Sequence, residues 1–174
     1  VCVLHDNAIY GLTKMQVSPT SPRGLKSNTS PRGAWLDPIN PLLTTLSVSN
    51  VSFVAQAVDW NPSILSALLS RAFHHTGFSF IRVIQRCTNY LPTLLDPWAK
   101  HREKVLVLTH EKGLQLDEKT ASRYPNQREH DPLDIHEARE IASDTEQIPV
   151  GILYQDESVP GYDDIRRPRR RLNG

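Results

Sequence analysis

The chain has few cysteines, almost no net charge and no long apolar run. Cys2 and Cys87 are its only cysteines among 174 residues, so a disulfide framework is excluded and we expect two reduced thiols in the cytoplasm. Lysine and arginine total 20 against 19 aspartates and glutamates, so no strong field attracts nucleic acid or a membrane surface. No stretch approaches the roughly 18 apolar residues that a membrane-spanning helix needs.

An initial methionine and a visible signal peptide are also lacking. The chain opens at Val1 in an apolar stretch, residues 1–4, and such an opening is typical of a truncated gene or a partial sequence. Cys2 lies inside this stretch, and we expect it to be a small buried hydrophobe.

Three apolar stretches predict buried strands. They lie at 1–4, 52–58 and 78–84, and they are rich in Val, Phe and Ile. The region 17–40 between the first two carries many Pro, Gly and Ser residues and predicts a long loop. A loop of this length in a compact domain is usually either functional or disordered.

Helices are predicted between these strands. Asn40 and Asn61 are each followed by proline, and an Asn cap with Pro in the first turn is a typical helix start. We expect the first helix to end near 49–50 and the second to stop at Gly77. The second helix has an apolar stripe formed by Ile64, Leu65, Leu68, Leu69, Ala72 and Phe73. The alternation predicts an α/β fold with a parallel sheet and flanking helices.

Residues 96–174 differ in character from residues 1–95. Their predicted elements are short and set among charged stretches: a strand at 105–108, a loop at 117–134, a surface-lying helix capped by Asp134 and running to Ser143, and a strand or extended arm at 149–154. We expect 1–95 to form the main domain. The rest is then an irregular extension that packs on this domain or on a partner.

Polar oxygens follow the first strand. Open α/β sheets bind ligands at the carboxyl ends of their strands, where Asp6 and Asn7 lie. The Asn7 amide and, if the chain bends, the Ile9 carbonyl offer neutral oxygens of the kind that Mg²⁺ accepts, often together with substrate phosphates. The alternative is an Asx turn, in which Asn7 bonds its own backbone.

The segment 6–20, DNAIYGLTKMQVSPT, resembles a fingerprint of the thiamine diphosphate-binding beta subunits of 2-oxoacid:ferredoxin oxidoreductases. The family pattern is N-x-I-Y-G-L-T-K-G-Q-x-S-P-T. Residues 29–33 and 37–41 are similar to its next signatures, T-P-x-G and N-P, and the segment FVAQ at 53–56 resembles its F-V-A-R.

This resemblance covers residues 1–90 and resumes at 150–162, and it implies the carboxyl-terminal half of a thiamine diphosphate-binding domain. Mg²⁺ would be held by Asn7 and Ile9. Residues implied in cofactor binding are Asn7, Ile9, Tyr10, Gly11, Leu12 and Thr13, and those implied in substrate binding are Leu12, Thr13 and Lys14. The resemblance implies that Lys14 meets the distal carboxylate of a longer 2-oxoacid or helps to bind coenzyme A, which favours 2-oxoglutarate or a broad 2-oxoacid set over pyruvate. The alternative is a solvated loop lysine.

Cys87 follows the third predicted strand. The resemblance implies that it is the fourth ligand of a 4Fe–4S cluster whose other thiolates lie upstream. Four thiolates are needed, so we expect the chain as given to be free of cluster. The alternative is a strand-end thiol without a role.

The implied activity is oxidative decarboxylation of a 2-oxoacid to an acyl-CoA, with reduction of ferredoxin and an alpha subunit as partner. An upstream G-D-G, the other cysteines and a glutamate from elsewhere are not in the sequence, so we expect the chain alone to be inactive. Met15 stands where the family has glycine, which costs about 1 kcal/mol if its φ is positive. Ser47, Val48 and Ser49 replace a Gly-Ala stretch.

Two other interpretations stay open. One is a diverged, non-catalytic subunit that is kept for assembly. The weaker one is a relative of acetolactate synthase, which would make the match at Tyr10–Gln16 and Cys87 a coincidence.

Two further patterns carry weaker signals. His130, between Glu129 and Asp131, and the nearby His136 look metal-like, but no second histidine follows at the i+4 position, so a charged surface is favoured. The arginine run at 166–171 has no interleaved aromatics, and we expect a solvated terminus that does not bind nucleic acid. Docking of an acidic ferredoxin there is a hypothesis.

Overall fold

The computed structural model describes residues 1–166 and contains a six-stranded sheet. Its strands are β1 Cys2–Asp6, β2 Phe53–Val58, β3 Ser79–Ile84, β4 Val105–Thr109, β5 Gln127–Glu129 and β6 Ile148–Gln155. Its helices are α1 Pro41–Leu46, α2 Pro62–His74, α3 Asp96–Ala99, α4 Glu118–Arg123, α5 Ile135–Ser143 and α6 Tyr162–Arg166, with a 3₁₀ turn at Arg102–Lys104. The predicted α/β class is confirmed.

The strands lie in the order β1-β3-β2-β6-β4-β5. The first three pair in parallel, as predicted, and β4 is parallel to both β5 and β6. β6 runs antiparallel to β2, so the sheet is mixed. Three of the six strands come from the region after residue 95, which therefore extends the same sheet.

Apolar side chains cover both faces of this sheet. Ile64, Leu68 and Ala72 of α2 pack in one cluster with β2, β3, β4 and β6. On the opposite face α1 and α5 pack against the alternate residues of the same strands, including Val54 and Phe80. The carboxyl ends of β1, β3 and β2 are thereby held at one edge between the two helical layers.

The predicted helix caps are confirmed. The Asn40 side chain accepts hydrogen bonds from two backbone N–H groups at the start of α1, and the Asn61 side chain accepts one at the start of α2. The Asp134 carboxylate does the same for α5. A cap depends only on the residues next to it, so the local sequence was enough to identify it.

Burial was predicted less well at the ends of elements. β1 was expected to be buried, but it is the edge strand, and Val1, Cys2 and Val3 are exposed. Phe73 at the end of α2 is 70% exposed, although the helical stripe includes it. α1 ends at Leu46, earlier than 49–50.

The expected loop at 117–134 is wrong, because it contains α4 and β5. β5 has no buried residue, so its sequence carries no apolar alternation. α5 was expected to lie on the surface, but Ala138, Ile141 and Ala142 are buried against β6 and α1.

No helix among residues 1–166 is long and apolar enough to span a bilayer. Of the arginine run at 166–171, only Arg166, at the end of α6, is described; the rest of the run lies outside the described residues.

Candidate functional site

A buried carboxylate anchors the edge where β1 ends. Asp6 accepts hydrogen bonds from the Arg82 guanidinium of β3 at 2.8 Å (Nε) and 2.6 Å (Nη2), both at Oδ2. Its other oxygen accepts from the Thr20 hydroxyl at 2.6 Å and from the Ala8 N–H at 3.1 Å. Asp6 therefore ties the segment after β1 and the long loop to the sheet.

This anchor continues across the sheet. Arg82 also donates to the Gln56 side-chain oxygen of β2 at 3.1 Å, and the Gln56 amide donates to the Pro149 carbonyl of β6 at 2.7 Å. Gln56 and Arg82 are direct partners in the register of β2 and β3. Sequence reasoning missed this Thr20–Asp6–Arg82–Gln56–Pro149 network, although polar residues inside the apolar runs of β2 and β3 were a signal for it.

The chain bends immediately after Asp6. Ala8 has a φ of 57°, in the left-handed region that residues other than glycine seldom adopt. The conformation is held from both sides, because the Ala8 N–H bonds Asp6 and its carbonyl accepts the Ser21 hydroxyl at 2.7 Å. This is the bend that would turn the Ile9 carbonyl toward the same region as the Asn7 side chain.

Asn7 forms the Asx turn that was the alternative interpretation, since its side-chain oxygen accepts the Ile9 N–H at 3.2 Å. An amide oxygen has a second lone pair, so the turn leaves one coordination position open. The Ile9 carbonyl accepts none of the hydrogen bonds found among residues 1–166. Ile9 is buried, and a buried carbonyl without a donor is compatible with a cation ligand. These oxygens fit the donor set of Mg²⁺.

Residues 10–16 form a closed turn. Tyr10 and Gln16 exchange backbone hydrogen bonds at 2.9 Å and 3.2 Å, and Lys14 and Met15 both have positive φ, 62° and 72°. Leu12 is 100% exposed, and Thr13 and Lys14 are exposed too. The implied substrate residues are thus grouped on one turn that other parts of residues 1–166 leave uncovered.

Cys87 lies on a turn beside this one. Its sulfur accepts the Tyr90 N–H at 3.4 Å, and a methyl group at Gly11 would lie 3.5 Å from the Tyr90 ring. Burial alone would raise the pKa of the Cys87 thiol, but the backbone N–H groups of Tyr90, Leu91 and Asn89 outweigh it and the pKa is lowered. N–H groups around a sulfur favour the thiolate form. The structure also places the Cys87 turn beside the turn at 10–16, so the implied cluster ligand and the implied substrate residues lie close together.

A cavity of about 360 Å³ opens at the same edge, lined among others by Asp6, Asn7, Ile9, Tyr10 and Thr20. A second one, of about 400 Å³, shares Asp6, Asn7 and Thr20 and reaches Arg82 and Trp98. Asn7 thus stands between two openings at the carboxyl edge of the sheet. Within residues 1–166, no three His, Cys, Asp or Glu side chains gather as a metal cluster.

His130 corrects the surface interpretation of the histidines. It is 2% exposed, and its Nδ1 and Nε2 lie 2.7 Å from Glu137 Oε2 and from the Leu153 carbonyl oxygen. Glu137 also pairs with Arg128. The hydrogen bond from His130, followed by that from Arg128, lowers the pKa of Glu137. His136 is exposed, as expected. His130 joins β5, α5 and β6 rather than binding a metal.

Comparisons with known proteins find similar chains. The family model for the carboxyl-terminal region of the pyruvate ferredoxin oxidoreductase beta subunit matches residues 120–169. A 2-oxoacid:ferredoxin oxidoreductase beta subunit of a Sulfolobus species is 32% identical over 169 residues, covering 94% of this chain and 51% of that protein. The predicted family resemblance is confirmed. The chain is similar to the beta subunits of these oxidoreductases.

Other proteins similar to this chain have names that specify 2-oxoglutarate. The 2-oxoglutarate synthase subunit KorB of Methanothermobacter thermautotrophicus is 36% identical over 90 residues, 52% of this chain and 30% of that one. A solved 2-oxoglutarate:ferredoxin oxidoreductase of Magnetococcus marinus, with 2-oxoglutarate, coenzyme A and succinyl-CoA bound, aligns with a TM-score of 0.73 and 30% identity, covering 94% of this chain and 49% of that chain. The chain spans about half the length of the first curated relatives it matches.

Proposed function

We propose that this chain supplies part of the thiamine diphosphate site in the beta subunit of a 2-oxoacid:ferredoxin oxidoreductase. The reaction is the oxidative decarboxylation of a 2-oxoacid to an acyl-CoA, with the electrons passing singly to ferredoxin. The names of two related proteins and the lysine at position 14 favour 2-oxoglutarate or a broad 2-oxoacid set over pyruvate. An alpha subunit completes the enzyme.

The strained bend at Ala8 carries this proposal. A left-handed alanine costs on the order of 1 kcal/mol, and such strain persists where the surrounding structure imposes it, often at functional sites. Here two hydrogen bonds impose it, from Ala8 to Asp6 and from Ser21 to Ala8. The bend lies between two oxygen atoms that can bind a metal, those of the Asn7 amide and the Ile9 carbonyl. The Ile9 carbonyl accepts no hydrogen bond within residues 1–166.

Each group of this chain has a separate task in the proposed site. Thiamine diphosphate, when bound, supplies the electron sink for decarboxylation. Asn7 and Ile9 hold the Mg²⁺ that carries its diphosphate. The exposed turn at 10–14 forms one wall of the substrate pocket, and Lys14 supplies a cation for a distal carboxylate. Leu12 is fully exposed, so this wall is open to contact with another segment of the enzyme.

Cys87 contributes one thiolate to a 4Fe–4S cluster in this proposal. Its lowered pKa and its N–H donors suit a thiolate ligand. A single thiolate cannot hold the cluster, so the remaining ligands come from other parts of the enzyme.

One observation favours the second candidate, a diverged subunit retained for assembly. Met15 has a φ of 72°, and Lys14 beside it a φ of 62°, where the family pattern has lysine followed by glycine. A methionine in this conformation strains the turn that forms the substrate wall. The strain is tolerable in a subunit whose turn no longer closes on a substrate.

The deciding experiment combines this chain with the alpha subunit and the remaining beta-subunit segment, and assays 2-oxoacid-dependent reduction of a viologen dye. Turnover supports the enzyme; assembly without turnover supports the scaffold. Binding of thiamine diphosphate is measured by calorimetry at several Mg²⁺ concentrations for the original assembly and for Asn7→Leu and Asn7→Asp.

We expect Asn7→Leu to lose most of the Mg²⁺-dependent affinity and Asn7→Asp, which keeps an oxygen and the Asx turn, to retain it. If Asn7 serves only the turn, Asn7→Leu lowers thermal stability but leaves the Mg²⁺ dependence of binding unchanged, and the proposal is then wrong.

A further inference from the structure

The long loop forms a cavity that adjoins the opening beside Asn7 and shares Ser18, Pro19 and Ile39 with its lining. Its volume is about 630 Å³, and its wall is formed by loop residues between Val17 and Ile39. Ser18, Thr29 and Ser30 line it together with Arg32 and Trp35, and the hydroxyls of Ser18 and Thr29 also lie within hydrogen-bonding distance of neighbouring loop hydroxyls. A cavity of this size has room for a nucleotide-sized ligand.

Close packing between two glycines holds two segments of this loop together. Gly33 has a φ of 99°, and a side chain there would lie 2.8 Å from the Gly24 carbonyl oxygen. The Gly24 N–H donates to the Ala34 carbonyl at 2.8 Å, and the Ala34 N–H donates to the Leu25 carbonyl at 2.9 Å. Residues 24–25 and 33–34 of the loop are therefore held against each other, directly before Trp35.

The residues that follow are apolar and exposed. Trp35 is 74% exposed and Leu36 is 83% exposed. The Arg32 guanidinium lies 6.0 Å from the centroid of the Trp35 ring. A loop that presents an indole with a cation beside it offers a stacking surface next to a positive charge.

The charge of this region is uneven. The charged side chains at the cavity are Arg32 and Asp37, which line it, and Arg23, which pairs with Asp37, so two guanidinium groups accompany one carboxylate. Asp37 lines the cavity but is paired with Arg23 at 3.5 Å. The excess positive charge favours an anionic ligand over a neutral one.

We propose that this loop cavity binds an adenine nucleotide, with the base stacked on Trp35 and a phosphate facing Arg32. An aromatic plane, a cation and several hydroxyls are the groups that a base, a phosphate and a ribose require. A simple 2-oxoacid has no ring to use the indole. In the proposed function the acyl acceptor is coenzyme A, and the nucleotide would then be its adenosine phosphate portion. This identification rests on the proposed function, whereas the nucleotide site does not depend on it.

The test titrates the full chain with adenosine 3′,5′-bisphosphate, by calorimetry and by tryptophan emission. We expect saturable binding and quenching of the emission. Trp35→Leu keeps an apolar side chain but removes the stacking plane, so we expect roughly ten-fold or greater weakening. Arg32→Gln should weaken binding and reduce its dependence on salt.

Matched variants elsewhere control for indirect effects. Phe73→Leu removes another exposed aromatic ring, and Arg102→Gln removes another guanidinium that lies over an aromatic ring, that of Tyr124 at 5.7 Å. Both should bind the bisphosphate as the original chain does. Equal weakening in the controls would contradict a localised site.

Three results would overturn the site. They are no binding of the bisphosphate by the original chain, equal affinity for inorganic phosphate, and displacement of the bisphosphate by 2-oxoglutarate or by Mg²⁺-thiamine diphosphate. Failure of the proposed function can be distinguished from failure of the nucleotide site, because the Asn7→Leu variant that tests the first leaves Trp35 of the second in place. Nucleotide binding by an assembly that does not bind thiamine diphosphate would retain this site and reject the proposed function.

Discussion

At the scale of single residues, Cys87 shows how a backbone turn can change side-chain chemistry. The turn closes by a hydrogen bond from the Leu91 N–H to the Cys87 carbonyl, at 3.2 Å, and points the Tyr90 N–H at the sulfur. Burial opposes ionisation, but the N–H groups of Tyr90, Leu91 and Asn89 favour the thiolate and lower the pKa of Cys87 overall. No charged side chain is needed for this effect.

We expect Cys87 to react with iodoacetamide at a lower pH than an ordinary thiol. The thiolate is the reactive form, so the midpoint of the rate against pH should fall below the ordinary pKa of 9.0. The measurement uses the Cys2→Ala chain, in which Cys87 is the only thiol. A midpoint at or above the ordinary value would contradict the role of the turn.

Backbone strain at single residues was partly predictable. The replacement of a family glycine by Met15 raised the expectation of a strained φ, and the observed 72° confirms it. The positive φ of Ala8 was not foreseen, because alanine gives no local signal for a left-handed conformation. It arises from tertiary hydrogen bonds that Asp6 and Ser21 supply.

At the scale of elements, the Asp6–Arg82 pair connects β1 to β3 and, through Gln56 and Pro149, to β2 and β6. The side chains of Asp6 and Arg82 are 5% and 20% exposed. Removing one partner of a largely buried pair leaves the other charge without compensation, which is more costly than the pair itself is favourable.

We therefore expect Arg82→Met to lower the free energy of unfolding by about 3–5 kcal/mol, measured by denaturant unfolding. Asp6→Asn should also destabilise the chain. The double variant should lose less than the sum of the two, because no uncompensated charge remains. Arg23→Met, which breaks the exposed pair with Asp37, serves as control and should change stability by less than about 1 kcal/mol. Additive losses at Asp6 and Arg82 would contradict the coupling.

The second connection between elements is made by Glu137 of α5. It accepts hydrogen bonds from the buried His130 and from Arg128, and these lower its pKa from the ordinary value of 4.5. A depressed folded-state pKa contributes stability that is present above the unfolded value of about 4.5 and is lost as pH falls through the folded value.

Below about pH 4.5, stability should therefore fall less steeply with decreasing pH for Glu137→Gln than for the original chain, since the variant has no carboxylate at position 137 to protonate. Thermal unfolding midpoints across this acidic range measure the effect. Glu140→Gln, on the same helix but at an exposed position, is the matched control and should keep the original slope. An unchanged slope in Glu137→Gln would show that the pair does not contribute to acid sensitivity.

At the scale of the whole molecule, the sequence predicted the first three strands and the helices between them, because short apolar stretches and Asn caps are local signals. It did not predict that β6 lies between β2 and β4, since strand order depends on contacts between distant segments. The same reason explains His130. Its charged neighbours suggested a surface position, whereas its burial depends on the distant Leu153 carbonyl and on α5.

The position of β6 predicts that residues 1–95 and the described residues after them unfold together. Amide hydrogen exchange should give β2 and β4 equal, maximal protection, because β6 pairs with both. Substantially earlier exchange of β4 and β6 than of β2 and β3 would instead favour two independently stable parts. That result would support the sequence-based division near residue 95.

The edge position of β1 has a practical consequence for handling the protein. Its outer backbone N–H and C=O groups find no strand partner among residues 1–166, and the exposed side chains of Val1 and Val3 give that rim an apolar character. Rims of this kind recruit strands from other molecules. A preparation of the chain without its assembly partners will therefore tend to self-associate through this rim, and a lysine in place of Val3 is a direct way to keep the molecules apart.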